Sequence, residues 1–430
     1  MKSTAETEQA APAGAAALAG DAPPQFGLLR LLGMVLLPFA LAHFISYLFR
    51  TVNAVVYPEL AQDLGLEANN LGLLTSVYLL TFALAQLPIG VALDRFGPRR
   101  AQIPMLAVAA AGAAMFASAH TLWMLVVARG LIGLGVAGSL MASIKACSLW
   151  LPPQKLSLAT AIVLAVGGMG AMVATTPVQL ALTYTDWRIV FLCLAGVTVA
   201  LSTAMFFMVP EHPKKQKTRL SDMTRAVAQL YSTWSFWRLA FYTLFAHASF
   251  MAIQGLWMGP WLHDVRHLSR LEVANVLFAG TVGMVVGSLA FGWLTDILHK
   301  RGFKPILVCG GGLACFLLIE VLMVLEVPVS PFVIAVGFSC FGSSAAMNYA
   351  IVAQSVPPHL IGRVSTSYNL VIFMLGFLVQ WGLGSIINLW PMENGVYPAK
   401  AYQVALGINL ALQIPGFLLW LSFKPWQRER

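Results

Sequence analysis

The sequence predicts an all-α membrane protein of twelve helices, arranged as two pseudo-symmetric six-helix bundles. Three observations carry that prediction. Apolar runs of bilayer-spanning length recur twelve times, basic residues collect at alternate ends of those runs, and the second half of the chain echoes the first.

Composition sets the frame. Of 430 residues, 59% are hydrophobic and only 10% are charged, and mean hydropathy is +0.77. Soluble domains carry about 25% charged residues. So few charges cannot cover a surface in water, which excludes a soluble enzyme, a nucleic-acid-binding domain and a disordered protein. The net charge of +9 is spread between apolar runs, so it does not build a nucleic-acid face. The five cysteines all lie inside apolar segments, form no CxxC pair and are odd in number. That argues for small buried hydrophobes rather than a disulfide framework or zinc site. No metal and no cofactor are expected.

The elements follow in order. Residues 1–26 are rich in Ala and Pro and lack the compact apolar core of a secretory signal, so a disordered cytoplasmic tail is expected. Twelve apolar runs follow at about 29–57, 71–92, 101–119, 121–150, 157–183, 188–209, 235–261, 273–295, 304–325, 332–355, 366–389 and 401–423. Crossing a ~30 Å hydrocarbon core takes about 20 helical residues. Each run is a helix by necessity, because lipid satisfies no open backbone group. Pro88, Pro104, Pro177 and Pro415 are tolerated for the same reason. The longest polar loop, 210–234, divides the spans six and six and reads as a cytoplasmic linker. Its basic start and the stretch 220–230 fit a helix lying at the membrane face. The bundles are then 27–209 and 235–424, and 425–430 is a second cytoplasmic tail.

Orientation follows from the bases. With the N-terminus inside, cytoplasmic segments hold nineteen of the 26 Lys and Arg residues and external segments hold four: Arg188, Arg266, Arg270 and Lys400. That asymmetry places both termini in the cytoplasm and makes most of the basic excess topogenic. Three cations stand within spans: Arg50, Arg129 and Lys145.

The halves repeat. Pro58 to Gly90 and Pro260 to Gly292 are both 32 residues apart, and the same offset of 202 relates Asp94 to Asp296 and Arg99 to Arg301. Duplicated halves of this kind place a substrate site between them near the midplane.

The loop after span 2 carries Gly90, Asp94, Arg95, Gly97, Arg99 and Arg100, and a weaker copy after span 8 carries Gly292, Asp296, Lys300 and Arg301. Span 4 has Arg129 followed by Gly133 and Gly135. Over residues 27–424 this arrangement resembles the major facilitator superfamily. The resemblance implies that fold, with rocking bundles and a loop that latches the cytoplasmic gate. Gly90, Asp94, Arg95, Arg99, Arg129 and Asp296 are the gating candidates. Gly90 would allow close helix approach, Asp94 would accept from a neighbouring helix N-terminus, and the arginines would bind carbonyls or lipid phosphate.

Arg50 is the most informative residue. A cation within a span costs about 2.5–3.5 kcal/mol on insertion scales, so it must face protein, water or substrate, or snorkel outward. At about 100° per residue, His43, Tyr47 and Tyr57 share a narrow arc with it, and Asn53 falls just outside. The resemblance makes spans 1 and 4 cavity-lining, which adds Lys145, opposite Asn348 and Tyr349 in the second half. Lys145 also stands close enough to the span end to snorkel. Span 7 presents His247, Met251, Gln254, Met258 and Trp261 at helical spacing, flanked by Phe250 and Trp257. The one clear intramembrane acid, Glu320, lies in span 9, which is peripheral by resemblance and a poor partner for Arg50.

The expected substrate-binding residues are therefore Arg50, Tyr47, His43, Lys145, His247, Gln254, Trp257, Tyr349 and Asn348. Positive charge without a carboxylate calls for a small organic anion, moved across the inner membrane by alternating access. Coupling would be to protons, through His43 or His247 or the anion itself, or by exchange against a counter-anion. No Walker sequence supports ATP. The expected partners are the lipid bilayer, that anion, and protons or a counter-anion, with the chain working as a monomer. Alternatives are a drug or metabolite–proton antiporter, a metal or siderophore-chelate transporter, and a non-transporting sensor. The span-5 sequence Gly167, Gly168, Gly170, Thr175, Thr176, Pro177 departs from the antiporter pattern, and span 7 has no Met-x3-Met pair for soft metals.

Overall fold

A computed structural model of the protein describes residues 31–151, 155–211, 231, 232, 234–347, 361–393 and 395–422. The expected N-terminal tail, most of the 210–234 linker and the tail 425–430 lie outside the described residues. Within them the regular structure is helical, apart from an isolated bridge between Glu393 and Val396.

Nine helices among the described residues are long and apolar enough to cross a membrane. One of them, Ala68–Ala117, is spans 2 and 3 run together. Gly97, at φ 82° and ψ 165°, breaks it, in a backbone region that glycine alone enters without strain. Span 7 is built from Trp234–Ala252, a π turn at Ile253–Trp257, and Met258–Asp264. Span 10 is Pro331–Gly342 continued by a tighter turn at Ser343–Met347. Dividing the long helix and adding these two gives the twelve spans.

Span 1 runs further than its apolar pattern. Its helix Leu37–Thr51 continues as Asn53–Leu64 and stops at Gly65, φ 63°. The extension carries Asp63, which accepts from Arg188 Nη1 at 2.5 Å and from the Trp187 indole at 3.3 Å, tying span 1 to the start of span 6. The Arg188 hydrogen bond holds the Asp63 carboxyl below its ordinary range. Its stabilising contribution is complete above the usual value of 3.8 and vanishes as pH falls through the depressed one. Detergent melting curves of wild type and Asp63→Asn should therefore differ slightly at neutral pH and converge in acid.

Arg129 is 1% exposed. It donates to the Phe49 carbonyl at 3.0 Å and lies over the rings of Tyr78, Phe116 and Phe191 at 5.5 to 5.9 Å. It pins span 4 to spans 1, 2, 3 and 6. Gly133, one turn on, lets span 4 approach span 2 so closely that a Cβ there would overlap the Tyr78 carbonyl and the Thr81 hydroxyl. Overpacking of this kind costs about 1–3 kcal/mol. Gly133→Val should lower the melting temperature in detergent. Gly196→Ala, where nothing stands within 4 Å, should leave it unchanged.

The helices define two faces. The near face carries Gly97 and the end of span 6; the far face carries the 1–2, 7–8 and 11–12 loops. The hydrogen bonds and ion pairs seen to join the first six spans to the last six, among side chains the structure describes, lie toward the far face. Ala68 N donates to the Tyr397 hydroxyl at 3.0 Å, Trp381 and Ser385 both donate to Asn69 Oδ1, and Asn388 donates to Glu67. Arg270 lies 3.7 Å from Glu59 and donates to Gln62, while Thr176 donates to Asn275. Beneath these bonds the backbones touch. A Cβ at Gly384 would stand 2.7 Å from the Ala68 carbonyl, and one at Gly259 would stand 2.9 Å from the Ala54 carbonyl. The two halves are clamped at the far face.

Candidate functional site

The site is built on span 1. Arg50 is partly exposed, and its guanidinium sits among three aromatic rings: Tyr47 at 4.8 Å, Phe373 of span 11 at 5.0 Å, and Phe82 of span 2 at 5.4 Å. Phe82 and Phe373 stack on each other at 4.1 Å across the two halves. Arg50 thus lies inside, at the seam between the halves, rather than snorkelling to a surface. A cation over ring faces is worth about 0.5 to 2 kcal/mol, yet the rings leave its donors unused. No carboxylate among the described residues lies within ion-pair distance, and Arg50 Nε is buried without a hydrogen-bond partner.

Its neighbours share that state. Both ring nitrogens of His43 and both amide atoms of Asn53 are buried with no partner in the protein. His43 meets Tyr47 edge-on at 5.0 Å. The Arg50 charge acts on both His43 and His247, so spans 1 and 7 present these groups to one region. More than 90% of buried polar groups have partners. Five orphaned atoms on three turns of one helix therefore mark a place built to receive hydrogen bonds from outside the chain.

Other expected site residues stand elsewhere. Lys145 Nζ is 2.5 Å from Asp94 Oδ1, each side chain 28% exposed. Lys145 is therefore engaged with Asp94 in the near-face loop rather than offering free charge to a substrate. The same loop is tied down by Arg99, which donates to the Phe206 carbonyl at 2.6 Å, and by Arg100, paired with Glu211. Arg95 lies exposed beside its neighbour Phe96. Gly90 is half-buried and Asp296 is exposed in helix Arg270–Lys300. A partly exposed ion pair such as this contributes about 1 kcal/mol. Lys145→Met should accordingly change the KM of uptake by less than about fivefold while loosening the near-face loop, read as faster proteolysis there.

On span 7, Gln254 donates to the Ser339 hydroxyl at 3.3 Å. Trp257 is 2% exposed, gives its indole N–H to the Gln380 carbonyl at 2.9 Å, and packs on Gly72 and Gly384. It belongs to the far-face clamp, and its donor is already used. The regular spacing expected for span 7 is interrupted by the π turn, so His247 and Trp261 do not continue one stripe. Asn348 and Tyr349 lie outside the described residues.

Asn53, Phe82 and Phe373 join the site without having been expected there. Asn53 falls just outside the polar arc of a regular helix. The two phenylalanines are indistinguishable from lipid-facing ones in sequence.

A cavity of about 860 Å³ opens at the far face, lined by Tyr57, Gln62, Gln179, His263, Arg270 and Tyr397 among others. None of the expected substrate residues lines it. The Gly259–Ala54 contact closes its floor, and Arg50 lies one helical turn, about 6 Å, further in.

Twelve spans clamped at one face over a buried polar centre define a transporter, not an enzyme. Residues 39–380 match the Major Facilitator Superfamily, and the chain belongs to it. Among curated proteins it is 23% identical to the uncharacterized transporter YybO of Bacillus subtilis (strain 168), over 88% of this chain and 89% of that one. It is 23% identical to the probable sulfoacetate transporter SauU of Cupriavidus necator, over 62% of this chain and 66% of that one. It is 21% identical to the probable galactarate/D-glucarate transporter GudP of Escherichia coli (strain K12), over 88% and 92%. Among solved structures it superposes on a bacterial homolog of the human lysosomal transporter Spinster, inward-facing and unoccupied. The TM-score is 0.73 at 16% identity, covering 94% of this chain and all of that one. A point mutant of the nucleoside transporter NupG gives 0.72 at 12% identity, covering 90% of this chain and 99% of that one.

Proposed function

We propose that this protein carries small organic anions across the inner membrane by alternating access, with Arg50 as the group that recognises the anionic end. The observation that carries the reading is the cluster of unpartnered polar atoms on span 1 around a guanidinium with no carboxylate in reach among the described residues. A carboxylate or sulfonate takes two N–H bonds from such a fork. The Tyr47, Phe82 and Phe373 rings would hold the guanidinium plane in place, and His43, Asn53, His247 and Gln254 would orient the body of the substrate. Relatives described as carriers of sulfoacetate and of galactarate/D-glucarate support an organic acid as the class. With both termini in the cytoplasm, the far face is the outer one. The closed outer clamp then makes this the inward-facing state, and the near-face loop of Asp94, Lys145, Arg99 and Arg100 is the moving inner gate. A gradient drives the cycle.

The test is counterflow in proteoliposomes with a panel of sugar acids, sulfoacetate, neutral sugars and organic cations. Labelled organic acids are expected to exchange and to be displaced only by other acids. Exchange of neutral sugars or cations, with acids inert, would overturn the reading.

A further inference from the structure

The membrane interior holds a second polar centre, in the last six spans and away from Arg50. Glu320 of helix Pro305–Val324 is 1% exposed. Asn409 Nδ2 donates to its Oε1 at 3.1 Å and Gln413 Nε2 donates to its Oε2 at 2.6 Å, both from span 12. Asn409 in turn accepts from the Ser249 hydroxyl at 3.0 Å. A chain of hydrogen bonds therefore joins span 9 through span 12 to span 7, two residues from His247.

No cation pairs with this carboxylate among the described residues. Span 12 faces it with amides only, its titratable groups Lys400 and Tyr402 standing at the far end. Span 7 presents Ser249, with His247 nearby. The other titratable side chains of spans 9 and 10 within the described residues are Cys309, which bonds the Ser344 carbonyl, the exposed Cys315, and Cys340. The acids and bases of span 8, among them Glu272, Asp296 and His299, sit at its two ends. A lone carboxylate this buried pays a desolvation cost, and taking up a proton removes that charge.

Gln413 is arranged for either condition. Its Oε1 is buried and has no partner. In the structure the amide N–H serves an ionised Glu320. Rotating the amide by half a turn puts Oε1 in that position, where it accepts from the O–H of a protonated Glu320. The Gln413 contact survives both states, and Asn409 links the carboxyl to Ser249 of span 7.

We propose that Glu320 is the proton-binding group of the transport cycle, and this rests on the organic-anion reading above. One proton adds to a carboxylate oxygen on one side of the membrane and leaves on the other, with no other bond made or broken. In proteoliposomes, Glu320→Gln is expected to retain organic-acid counterflow. Accumulation driven by a pH gradient should fall to passive equilibration. Accumulation equal to wild type would overturn the proposal while leaving the anion reading intact. Should wild type exchange no organic acid, that reading fails by itself, and infrared spectroscopy decides Glu320. A protonated-carboxyl stretch that grows as pH falls, vanishes in Glu320→Gln and shifts in Gln413→Leu supports the site. The absence of such a band in wild type, or its persistence unshifted in both variants, rejects it.

Discussion

Arg50→Ala should abolish uptake of organic acids while leaving the protein inserted and folded. Removing one member of a buried, hydrogen-bonded charge pair costs about 2–5 kcal/mol, so kcat/KM should fall by about 30-fold or more. Folding should survive, because Arg50 makes no ion pair with any described residue and the rings beside it pack on each other. Arg50→Lys separates charge from shape. An ammonium keeps the charge but cannot lie flat among three rings or present two parallel donors, so only part of the activity should return. Initial uptake rates in proteoliposomes, normalised to inserted protein, decide it. Undiminished uptake in Arg50→Ala would remove the foundation of the proposed site.

Gly384→Leu should hold the far face open. The added side chain would press on the Ala68 carbonyl, on the Trp257 ring, where even a Cβ comes within 2.9 Å, and on Gly72. These are contacts between packed helices with no room to retreat. A penalty of about 1–3 kcal/mol shifts a two-state equilibrium about 5- to 150-fold. Ala68 and Gly72 lie across the seam and Trp257 lies within the last six spans, so the strain should act on the conformational equilibrium and also lower stability somewhat. A cysteine at Ser385, which donates to Asn69 in the closed seam, reports the shift in a chain lacking its native cysteines. Its labelling by an impermeant maleimide added at the outer face should rise and uptake should fall in parallel. Unchanged labelling would show that this contact does not govern closure.

The fold was legible because its physics is local. Lipid demands a continuous apolar helix for each crossing, and the chain shows twelve. Gly97 and Arg129 were visible as members of their motifs, Arg129 as a gating candidate, but the ring contacts around Arg129 were not. Span 1 read too short, since Glu59 and Asp63 ended the apolar pattern although the helix runs on to Leu64. The site was legible only where polarity betrayed it. Arg50 and His43 stood out because charge and imidazole are rare in spans. Lys145 stood out equally, and nothing along the chain reveals that it meets Asp94, 51 residues away. Phe82 and Phe373 gave no sign of being the rings beside Arg50, because a phenylalanine facing protein and one facing lipid obey the same pattern. Glu320 was visible but seemed isolated. Its partners Asn409 and Gln413 lie 89 and 93 residues on, and only packing brings them together.

The π turn at Ile253–Trp257 has a consequence for the history and engineering of span 7. Such a turn holds one residue more than the α-helix it interrupts, as a single-codon insertion would leave it. Because the turn absorbs the extra residue locally, the helix on either side keeps its facing, so deleting one residue there should restore an unbroken helix while Gly259 stays against Ala54. What the deletion removes is the widened turn itself, where Gln254 donates to Ser339, which makes the extra residue a device that displaces the side chains of one turn without disturbing the clamp beyond it.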